Sequence, residues 1–379
     1  MTSPPVLEPG YTTPEMSALW TATARVEAIL TFEAALAMAL ADAGIAPLED
    51  AALVASACAV PLDDHDAAWS STWDRGTPML AILDELGARI PDGQRRWLHH
   101  GATTQDAVDS AHMMQAVRSL SILETGVTRI ATHLLTSMET HRAQPQTGRT
   151  FLQHARPTTF GMRCALWLDG LLSRIEEGRE VRAGLPVQLG GPVGDRAEYG
   201  AASQQVVEAL AARLGLAATP LAWQGDRGPV WKLVGSVDRF VRSLAKIATD
   251  IAILASSDVA EVEVRAGGSS SMGDKRNPLD AIRAISAAGA CRGAVAMIDQ
   301  GPSHELDRGI GSWHLEWFSL PIVFQTAAAV VSSVERLLES LVVDAAAMSA
   351  RVESPVVDTA AIDGQIDAVA ARFRHLIDS

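Results

Sequence analysis

Three long stretches of the chain carry apolar residues at alternating spacings of three and four. They cover residues 113–134, 233–254 and 323–341 of the 379-residue sequence. This spacing places one narrow apolar stripe along each helix, as in left-handed helix bundles. Each stripe continues for about six turns, or roughly 30 Å at 1.5 Å per residue, and residues 157–183 predict a further helix. The pattern therefore predicts an all-α protein built on long helices, and such bundles are often completed by other subunits.

Composition argues against several other classes of protein. The formal net charge of -14 argues against nucleic acid as a partner. The three cysteines are far apart and no HExxH or HxxxH pattern occurs, so the sequence indicates no disulfide framework, no metal and no cofactor. No run approaches about 18 uninterrupted apolar residues. No basic segment precedes an apolar core at the N-terminus. We therefore expect no membrane span, no signal peptide and a cytoplasmic protein.

Residues 265–278 are the polar stretch most suited to chemistry. They read RAGGSSSMGDKRNP and lie between two predicted helices. Glycines allow positive φ and close approach of the backbone to a ligand. Successive N–H groups can hold an anion, and Lys275 and Arg276 add positive charge. Pro278 suits the first turn of the next helix, whose N-terminus also favours anions. Three interpretations compete: a flexible linker, a phosphate loop, and a catalytic loop that closes over an anionic substrate.

The first two interpretations leave part of this loop unexplained. Gly/Ser linkers seldom end in Lys-Arg-Asn-Pro. Gly268 and Gly273 have the spacing of the GxxxxGK[ST] phosphate loop, but Asp274 follows where that motif has Lys. No buried strand is predicted before the loop either, although a phosphate loop requires one. We therefore favour the catalytic loop.

Residues 268–278, GSSSMGDKRNP, resemble the GSSxMPxKxNP motif of the fumarase/aspartase superfamily. Gly273 replaces the usual proline, and Asp274 occupies a variable place that is often His or Gln. The resemblance implies that a serine of this loop is the catalytic base. A serine is a weak base at its ordinary pKa, so loop N–H groups and the lysine must favour its alkoxide. The residues carried over are Ser269 as base, Lys275 as catalytic cation, and Ser270, Met272 and Asn277 as substrate contacts.

Residues 99–109, HHGATTQDAVD, resemble the HxGxTSxDxxDTA block of adenylosuccinate lyases and carboxymuconate cycloisomerases. A structural interpretation exists beside this one, because Thr103 followed by Asp106 approximates a capping box at a helix start. A cap does not exclude contact with a substrate. The resemblance implies that Thr103 and Thr104 hold a substrate carboxylate and that His99 lines the same site.

Residues 148–161, GRTFLQHARPTTFG, resemble the GRTxxQxAxPxTFG block of the superfamily. The structural alternative is a loop that enters a helix at Pro157. Phe151 stands where fumarases, aspartases and the argininosuccinate and adenylosuccinate lyases carry a His, and carboxymuconate cycloisomerases also place a large non-histidine residue there. The residues carried over are Thr150 and Gln153 as carboxylate contacts and His154 as a candidate general acid, with His99 as the other candidate.

Two further segments resemble the carboxymuconate cycloisomerases. Residues 223–227, WQGDR, resemble WHTxR with Gln224 in place of His, and residues 304–317 resemble ERxxGxWxxEW. The resemblance implies that Arg227 and Arg308 bind anionic groups of the substrate. For Arg227, a surface ion pair with the preceding aspartate is the alternative.

The fold that the resemblance implies is all-α, with a central bundle of five long helices. In the family, four such bundles form the twenty-helix core of a tetramer, and each active site gathers residues from three subunits. We expect an N-terminal helical domain at 1–101, the central bundle at 102–345 and a C-terminal segment at 346–379. That segment is shorter than the C-terminal domain of relatives.

The chemistry that the resemblance implies is β-elimination, or its reverse, on a small polycarboxylate. Several donors must be in place to stabilise the dianion that forms. The first hypothesis is the activity of the 3-carboxy-cis,cis-muconate cycloisomerases, which add a carboxylate oxygen across a double bond to form a lactone in the degradation of aromatic compounds. The alternative is a carbon–nitrogen lyase acting on a succinyl-amine or nitrosuccinate. A non-catalytic scaffold is a third hypothesis, and the intact Ser269, Lys275 and Asn277 argue against it.

Overall fold

The computed structural model describes residues 10–268, 270–272, 275–299, 304–353 and 359–378. Helices dominate these residues, which confirms the all-α class. The helices are α1 (Pro14–Leu19), α2 (Ala22–Asp42), α3 (Leu48–Cys58), α4 (His65–Ser70), α5 (Thr72–Arg75), α6 (Met79–Arg89), α7 (Thr104–Thr140), α8 (Phe160–Ala183), α9 (Ser203–Leu214), α10 (Gly228–Leu254), α11 (Leu279–Asp299), α12 (Ser312–Glu339), α13 (Ala345–Ala350) and α14 (Thr359–Asp378). The strands are β1 (Pro145–Thr150), β2 (Gln153–Thr159), β3 (Val262–Glu263), β4 (Ala266–Gly267), β5 (Asn277–Pro278) and β6 (Val342–Val343).

The five long helices α7, α8, α10, α11 and α12 pack together as the central bundle. The predicted apolar stripes face its core, since Leu134, Ile251 and Val334 are completely buried. The helix predicted over 157–183 begins only at Phe160, because the residues before it pair as a strand instead. Thr159 caps this helix by accepting a hydrogen bond from the Met162 N–H at 3.0 Å.

Helices α7, α10 and α12 all start at the same end of the bundle. At that end Asp109 of α7 accepts hydrogen bonds from Arg227, which precedes α10, and from Trp313 of α12. Farther along, Arg129 of α7 pairs with Glu335 of α12. We call the end where these helices start the first end and the end where they finish the second end. Helix α7 has 37 residues, so the two ends are separated by about 50 Å at 1.5 Å per residue.

The short N-terminal helices form a second apolar core beside the first end. Helix α2 lies at its centre, packed on α3, α7 and α9, and Phe32, Leu36 and Leu40 of α2 are buried there. The predicted domain boundaries at residues 101 and 345 fall close to the start of α7 and the start of α13. The division of the chain into domains stays a prediction.

The C-terminal helix α14 lies along the flank of α8. Arg372 of α14 pairs with Asp169 and Glu176 of α8, and Arg142 pairs with Asp363 and Asp367. Two bundle helices, Leu279–Asp299 and Ser312–Glu339, are long and apolar enough to cross a membrane by length and composition alone. The apolar window of the second is 78% buried among its neighbours, as expected for the core helix of a bundle.

Candidate active site

Four of the residues predicted to bind substrate come together at the first end, around the start of α7. Thr103 is the N-cap of this helix and Thr104 is its first residue. Arg308 donates a hydrogen bond to the Thr103 hydroxyl at 3.0 Å and another to the Gln105 side-chain oxygen at 3.2 Å. His99 lies one turn before the helix. Helix N-termini carry unpaired N–H groups and favour anions, so this group is suited to a carboxylate.

A buried carboxylate fixes the position of this helix start. Asp106 accepts hydrogen bonds from the Gly190 and Gly191 N–H groups at 2.9 and 2.8 Å, and from the Thr103 N–H at 3.1 Å. The Gln224 side chain donates a fourth, at 2.9 Å. Burial raises the pKa of Asp106 to about 6, although these donors oppose the shift. The Thr103 and Asp106 pair is therefore a cap, as the structural interpretation predicted, and it ties α7 to the segment after α8.

Gly191 is required for this close approach. Its φ is +72°, a conformation that L side chains rarely adopt. A Cβ at this position would lie 2.8 Å from the Gly101 carbonyl oxygen. The Gly-rich crossing after α8 therefore lets two loops meet across the start of α7.

Arg227, predicted to bind an anion, is only 1% exposed and lies in a network of buried ion pairs. Its guanidinium donates to both oxygens of Asp109, at 2.7 and 3.0 Å, and to both oxygens of Glu316, at 3.0 and 2.5 Å. The remaining N–H donates to the Trp223 carbonyl at 3.4 Å. All five guanidinium donors are thus engaged. This geometry favours a structural role for Arg227, and the predicted surface pair with the preceding aspartate is absent from the ion pairs of the described residues.

Burial and charge act in opposite directions on this network. Burial alone would raise the pKa of Asp109, but the Arg227 guanidinium and its hydrogen bonds hold that pKa below its ordinary value. The pKa of Arg227 is raised, because the carboxylates of Asp109 and Glu316 outweigh the burial of the guanidinium. Asp109 and Arg227 are therefore both charged at neutral pH and stabilise one another.

His99 is held by a carboxylate from α2. Its ring Nδ1 lies 2.6 Å from Glu33 Oε1, and its backbone N–H donates to Glu33 Oε2 at 3.1 Å. The Glu33 side chain is fully buried. Burial acts to lower the pKa of His99, but Glu33 outweighs this and the pKa is raised overall.

The second end carries the residues predicted from the GRT block, on a hairpin that the sequence did not predict. Strands β1 and β2 pair with Thr150 opposite Gln153, and His154 follows; all three side chains are exposed. Phe151 and Leu152 form the two-residue turn with φ of +53° and +61°, the pattern of a tight hairpin turn. Phe151 is 99% exposed at the tip. Such turns usually contain Asn and Gly, so this turn is strained.

The predicted catalytic loop also lies at the second end. The strands β4 and β5 flank this loop and pair with each other, with Gly267 opposite Asn277. The Asn277 side chain donates a hydrogen bond to the Gly268 carbonyl at 3.4 Å. Ser270, Met272 and Lys275 are exposed. The predicted base Ser269 lies outside the described residues, as do Gly273 and Asp274.

Side-chain contacts with Glu261 connect the hairpin to the segment that leads into the predicted catalytic loop. Arg149 of β1 pairs with the buried carboxylate of Glu261, and the Gln146 side chain donates to the same carboxylate at 2.9 Å. Glu261 immediately precedes β3, and its backbone N–H donates to the Leu254 carbonyl at the end of α10 at 2.9 Å. One chain therefore presents two groups of predicted site residues, and the length of the bundle separates them.

Several residues with a role in these groups were not predicted from the sequence. They are Glu33, Asp109 and Glu316, with Gln224 as a supporting amide. A carboxylate in an apolar helix pattern is the one sequence signal, since a charge at a buried position needs a partner. The partner itself cannot be read from the sequence, because Glu33 and His99 are 66 residues apart.

The His, Cys, Asp and Glu side chains of the described residues were compared with metal sites and reactive thiols. No group of three or more His, Cys, Asp or Glu side chains there could hold a metal ion. Cys58, Cys164 and Cys291 are free and buried. Burial raises the pKa of all three thiols, that of Cys291 to about 12, so they are protonated at neutral pH.

The long-helix bundle, with predicted site residues at both of its ends, has the architecture of a lyase superfamily. The model of a family described as Lyase matches residues 9–293. The chain belongs to this family, within the fumarase/aspartase superfamily, and it is an enzyme of that superfamily.

Several proteins similar to this chain share one activity. The chain is 35% identical to a 3-carboxy-cis,cis-muconate cycloisomerase of Pseudomonas aeruginosa over 341 residues, covering 88% of this chain and 74% of the relative. It is 33% identical over 341 residues to a nitrosuccinate lyase of Streptomyces davaonensis, covering 86% and 72% of the two chains. The crystal structure of a 3-carboxy-cis,cis-muconate lactonizing enzyme from Pseudomonas putida matches with a TM-score of 0.84 and 28% identity, over 97% of this chain and 88% of that chain.

Proposed function

We propose that this enzyme is a cytoplasmic homotetramer that lactonises 3-carboxy-cis,cis-muconate or a closely similar polycarboxylate. The similarity to cycloisomerases over most of the chain supports the reaction. The observation that carries the proposal is the separation of the two groups of site residues. His99, Thr103 and Arg308 lie at the first end of the bundle, whereas Lys275 and the hairpin lie at the second. A site made from both groups needs another copy running the opposite way.

Each group has a distinct task in the proposed reaction. The start of α7 and Arg308 bind carboxylates that do not react, because N–H groups and a guanidinium are good partners for an anion. The loop of a second copy brings Ser269, Lys275 and Asn277 to the reacting carbon. Lys275 and Asn277 stabilise the charge that grows on the neighbouring carboxylate in the transition state. The hairpin of a third copy brings Thr150 and Gln153 to position the substrate.

Arg227 supports this site without contacting the substrate. Its five donors are already used, and its ion pairs connect the starts of α7, α10 and α12. The role of Arg227 in the proposal is to hold the helix start that carries Thr103 and Thr104.

The reaction is tested by incubating the purified enzyme with 3-carboxy-cis,cis-muconate and following its ultraviolet absorbance. Loss of the diene absorbance with formation of the lactone is the expected result. A carbon–nitrogen lyase is the second candidate, favoured by the similarity to nitrosuccinate lyase and by Gln224, Gly273 and Asp274, which depart from the cycloisomerase motifs. Release of fumarate from nitrosuccinate or a succinyl-amine, with no turnover of the muconate, would establish that candidate instead.

The composite site is tested by mixing two variants and assaying them at a substrate concentration far below KM, where a raised KM makes Arg308→Gln nearly inactive. Arg308→Gln alters the first end and Lys275→Met alters the second. When each variant alone is inactive, subunits that are unfolded and refolded together should recover activity at about one quarter of their sites, because each site then draws the two residues independently from different copies. A light-scattering mass of about 160 kDa, four times the 40.1 kDa of one chain, is the matching expectation for the assembly. No recovery in mixed tetramers would contradict a site shared between copies.

A further inference from the structure

The general acid of the proposed reaction has two candidates, and their surroundings differ. His154 is exposed on the hairpin, and His99 is clamped to the buried carboxylate of Glu33. We propose that Glu33 is a positioning residue that holds the His99 ring by Nδ1 and directs Nε2 to the substrate bound at the start of α7. His99 is then the hydrogen-bond donor to the carboxylate oxygen that attacks or departs, and the acid of the reaction where the departing atom is nitrogen. This inference rests on the proposed function and identifies a residue pair for the same site.

Two contacts with one carboxylate fix both the ring and the backbone of His99. Glu33 Oε1 lies 2.6 Å from Nδ1, and Oε2 accepts the His99 backbone N–H at 3.1 Å. A ring bound in this way has a single orientation, since rotation about either side-chain torsion would break the Nδ1 contact. The carboxylate is buried and therefore strengthens the hydrogen bond.

The backbone of His99 is strained in a way that serves the same contact. Its φ is +54°, which is uncommon for a residue other than glycine. The next residues hold this turn, because the Ala102 N–H donates to the His99 carbonyl at 3.2 Å and the Tyr199 hydroxyl donates to the His100 carbonyl at 3.0 Å. Strain of this kind persists only where the surroundings fix it, and it often marks a functional site.

The position of the ring relative to the anion site follows from the chain. His99 is one turn before Thr103, whose hydroxyl contacts Arg308. Nδ1 faces Glu33, and the geometry of imidazole points Nε2 away from it. The charged groups nearest the ring are Glu33 from α2 and Asp106 from α7, and both favour a protonated ring. Arg308, bound at Thr103, is the cation on the substrate side.

The step can be written with its proton and electrons assigned. In the lactone-opening direction the loop base removes the proton from the carbon next to the carboxylate, and the ring C–O bond breaks. The electron pair of that bond stays on the departing carboxylate oxygen, and the Nε2–H of the protonated His99 ring donates a hydrogen bond to that oxygen. The ring keeps both of its protons, with Nδ1–H on Glu33. In lactonisation the carboxylate oxygen attacks the double bond and the neighbouring carbon takes the proton back from the loop serine, while in a carbon–nitrogen lyase the departing nitrogen would take the Nε2 proton.

Phe151 gives this assignment added weight. This residue and Leu152, at the tip of the hairpin, are apolar side chains. The side chains at the hairpin tip can therefore make apolar contacts with the substrate but cannot donate a proton to it. The proton donor then comes from another part of the site. His99 has the buried partner Glu33, whereas His304, 3.6 Å from Glu316, shares that carboxylate with Arg227.

The test compares Glu33→Gln, His99→Gln and His154→Gln, with His100→Gln as the control. His100 is adjacent to His99 but packs its ring on Trp97, with ring centroids 5.2 Å apart. We expect His99→Gln to lower kcat by about a hundredfold to ten-thousandfold, with KM changed much less, and His100→Gln to keep near wild-type kcat. Glu33→Gln should lower kcat and move the alkaline limb of the pH profile to lower pH. A larger loss of kcat in His154→Gln than in His99→Gln would overturn the assignment.

A second measurement needs no substrate and so separates this inference from the proposed function. In the tetramer with ¹⁵N-labelled histidine, the His99 ring should titrate above the ordinary histidine range, and Glu33→Gln should lower its pKa. His100→Gln should leave the His99 titration unchanged, and the signals that it removes are those of His100. An unchanged His99 titration in folded Glu33→Gln would refute the pair. A shifted titration in an enzyme that turns over none of the candidate substrates would refute the proposed function and leave the pair intact.

Discussion

Replacing Arg227 by glutamine distinguishes a structural arginine from one that binds substrate. The variant removes four charge-assisted hydrogen bonds and leaves Asp109 and Glu316, 1% and 4% exposed, as buried carboxylates with no cation between them. Breaking a buried pair by removal of one partner costs about 3–5 kcal/mol. The unfolding entropy of a chain of this size is roughly 0.8 kcal/mol per degree. We therefore expect the melting temperature to fall by about 4–6 °C.

Arg308→Gln is the matched comparison for this variant. Arg308 donates to a hydroxyl, an amide oxygen and, at 3.5 Å, the Pro192 carbonyl, so among the described residues its loss leaves no unpaired carboxylate. Its melting temperature should stay within about 1 °C of the wild type. The loss of a charged hydrogen bond to a substrate carboxylate should raise KM by about tenfold to a hundredfold.

The pH dependence of the Arg227→Gln defect has a definite sign. In the wild type, Arg227 holds the folded-state pKa of Asp109 below its unfolded value, so the stability from this pair is complete above the unfolded pKa and is lost as the pH falls. In the variant the unpaired carboxylates accept protons more readily. The difference in melting temperature between the two proteins should therefore be largest near pH 8 and shrink toward pH 5.

Scanning calorimetry at one fixed protein concentration, with initial-rate kinetics on the same samples, measures both effects. A fixed concentration is necessary because assembly contributes to the apparent stability of an oligomer. A wild-type melting temperature for Arg227→Gln together with a raised KM would refute the structural role and restore Arg227 as a substrate contact.

Three further results are expected. Ser269→Ala should lower turnover by a factor on the order of a thousand while the assembly keeps its mass; retention of most activity would remove Ser269 from the mechanism. His112 is buried and its pKa is lowered to about 3, mainly by burial. Its contribution to the free energy of unfolding is therefore complete above pH 6.5 and falls by about 1.4 kcal/mol per pH unit toward pH 3. In urea titrations, His112→Gln should make the free energy of unfolding depend less on pH. An unchanged pH dependence would contradict this prediction. Gly191→Ala should lower the free energy of unfolding by more than about 1 kcal/mol, because the φ of Gly191 is +72°. Gly364 lies on α14 with open space around it, so Gly364→Ala should leave that free energy unchanged or raise it in the same urea titrations.

Periodicity was enough to predict the bundle, because a stripe of Leu, Ile and Val over six turns has only one compact solution, which is packing against similar helices. The hairpin at 145–159 was not predicted, since its strands are rich in polar residues and its turn contains Phe151 and Leu152 where such turns usually contain Asn and Gly. The hairpin is also held by the tertiary contact of Arg149 with Glu261, 112 residues away, and no local pattern in the sequence reveals that contact.

The candidate site was predictable in its residue types but not in its partners. The motif resemblance predicted both Arg227 and Arg308 as contacts for anionic groups. In the structure, all five guanidinium donors of Arg227 are engaged by buried partners, whereas Arg308 lies half-buried beside Thr103. The difference depends on Asp109 and Glu316, which approach Arg227 only when three helices start at the same end. Contacts of this kind follow from the packing of distant segments, and spacing in the sequence does not encode them.

The continuous length of α7 has a consequence for how this chain can vary. One helix of 37 residues connects the segment with Thr103 to the segment that leads into the hairpin. Deleting a single residue from its middle would turn everything beyond by about 100° and shorten the span by about 1.5 Å. Exposed side chains along α7 can be exchanged as long as the apolar stripe and the polar contacts at the helix start are kept. Insertions and deletions in α7 would displace the site residues at one end of the bundle relative to those at the other end.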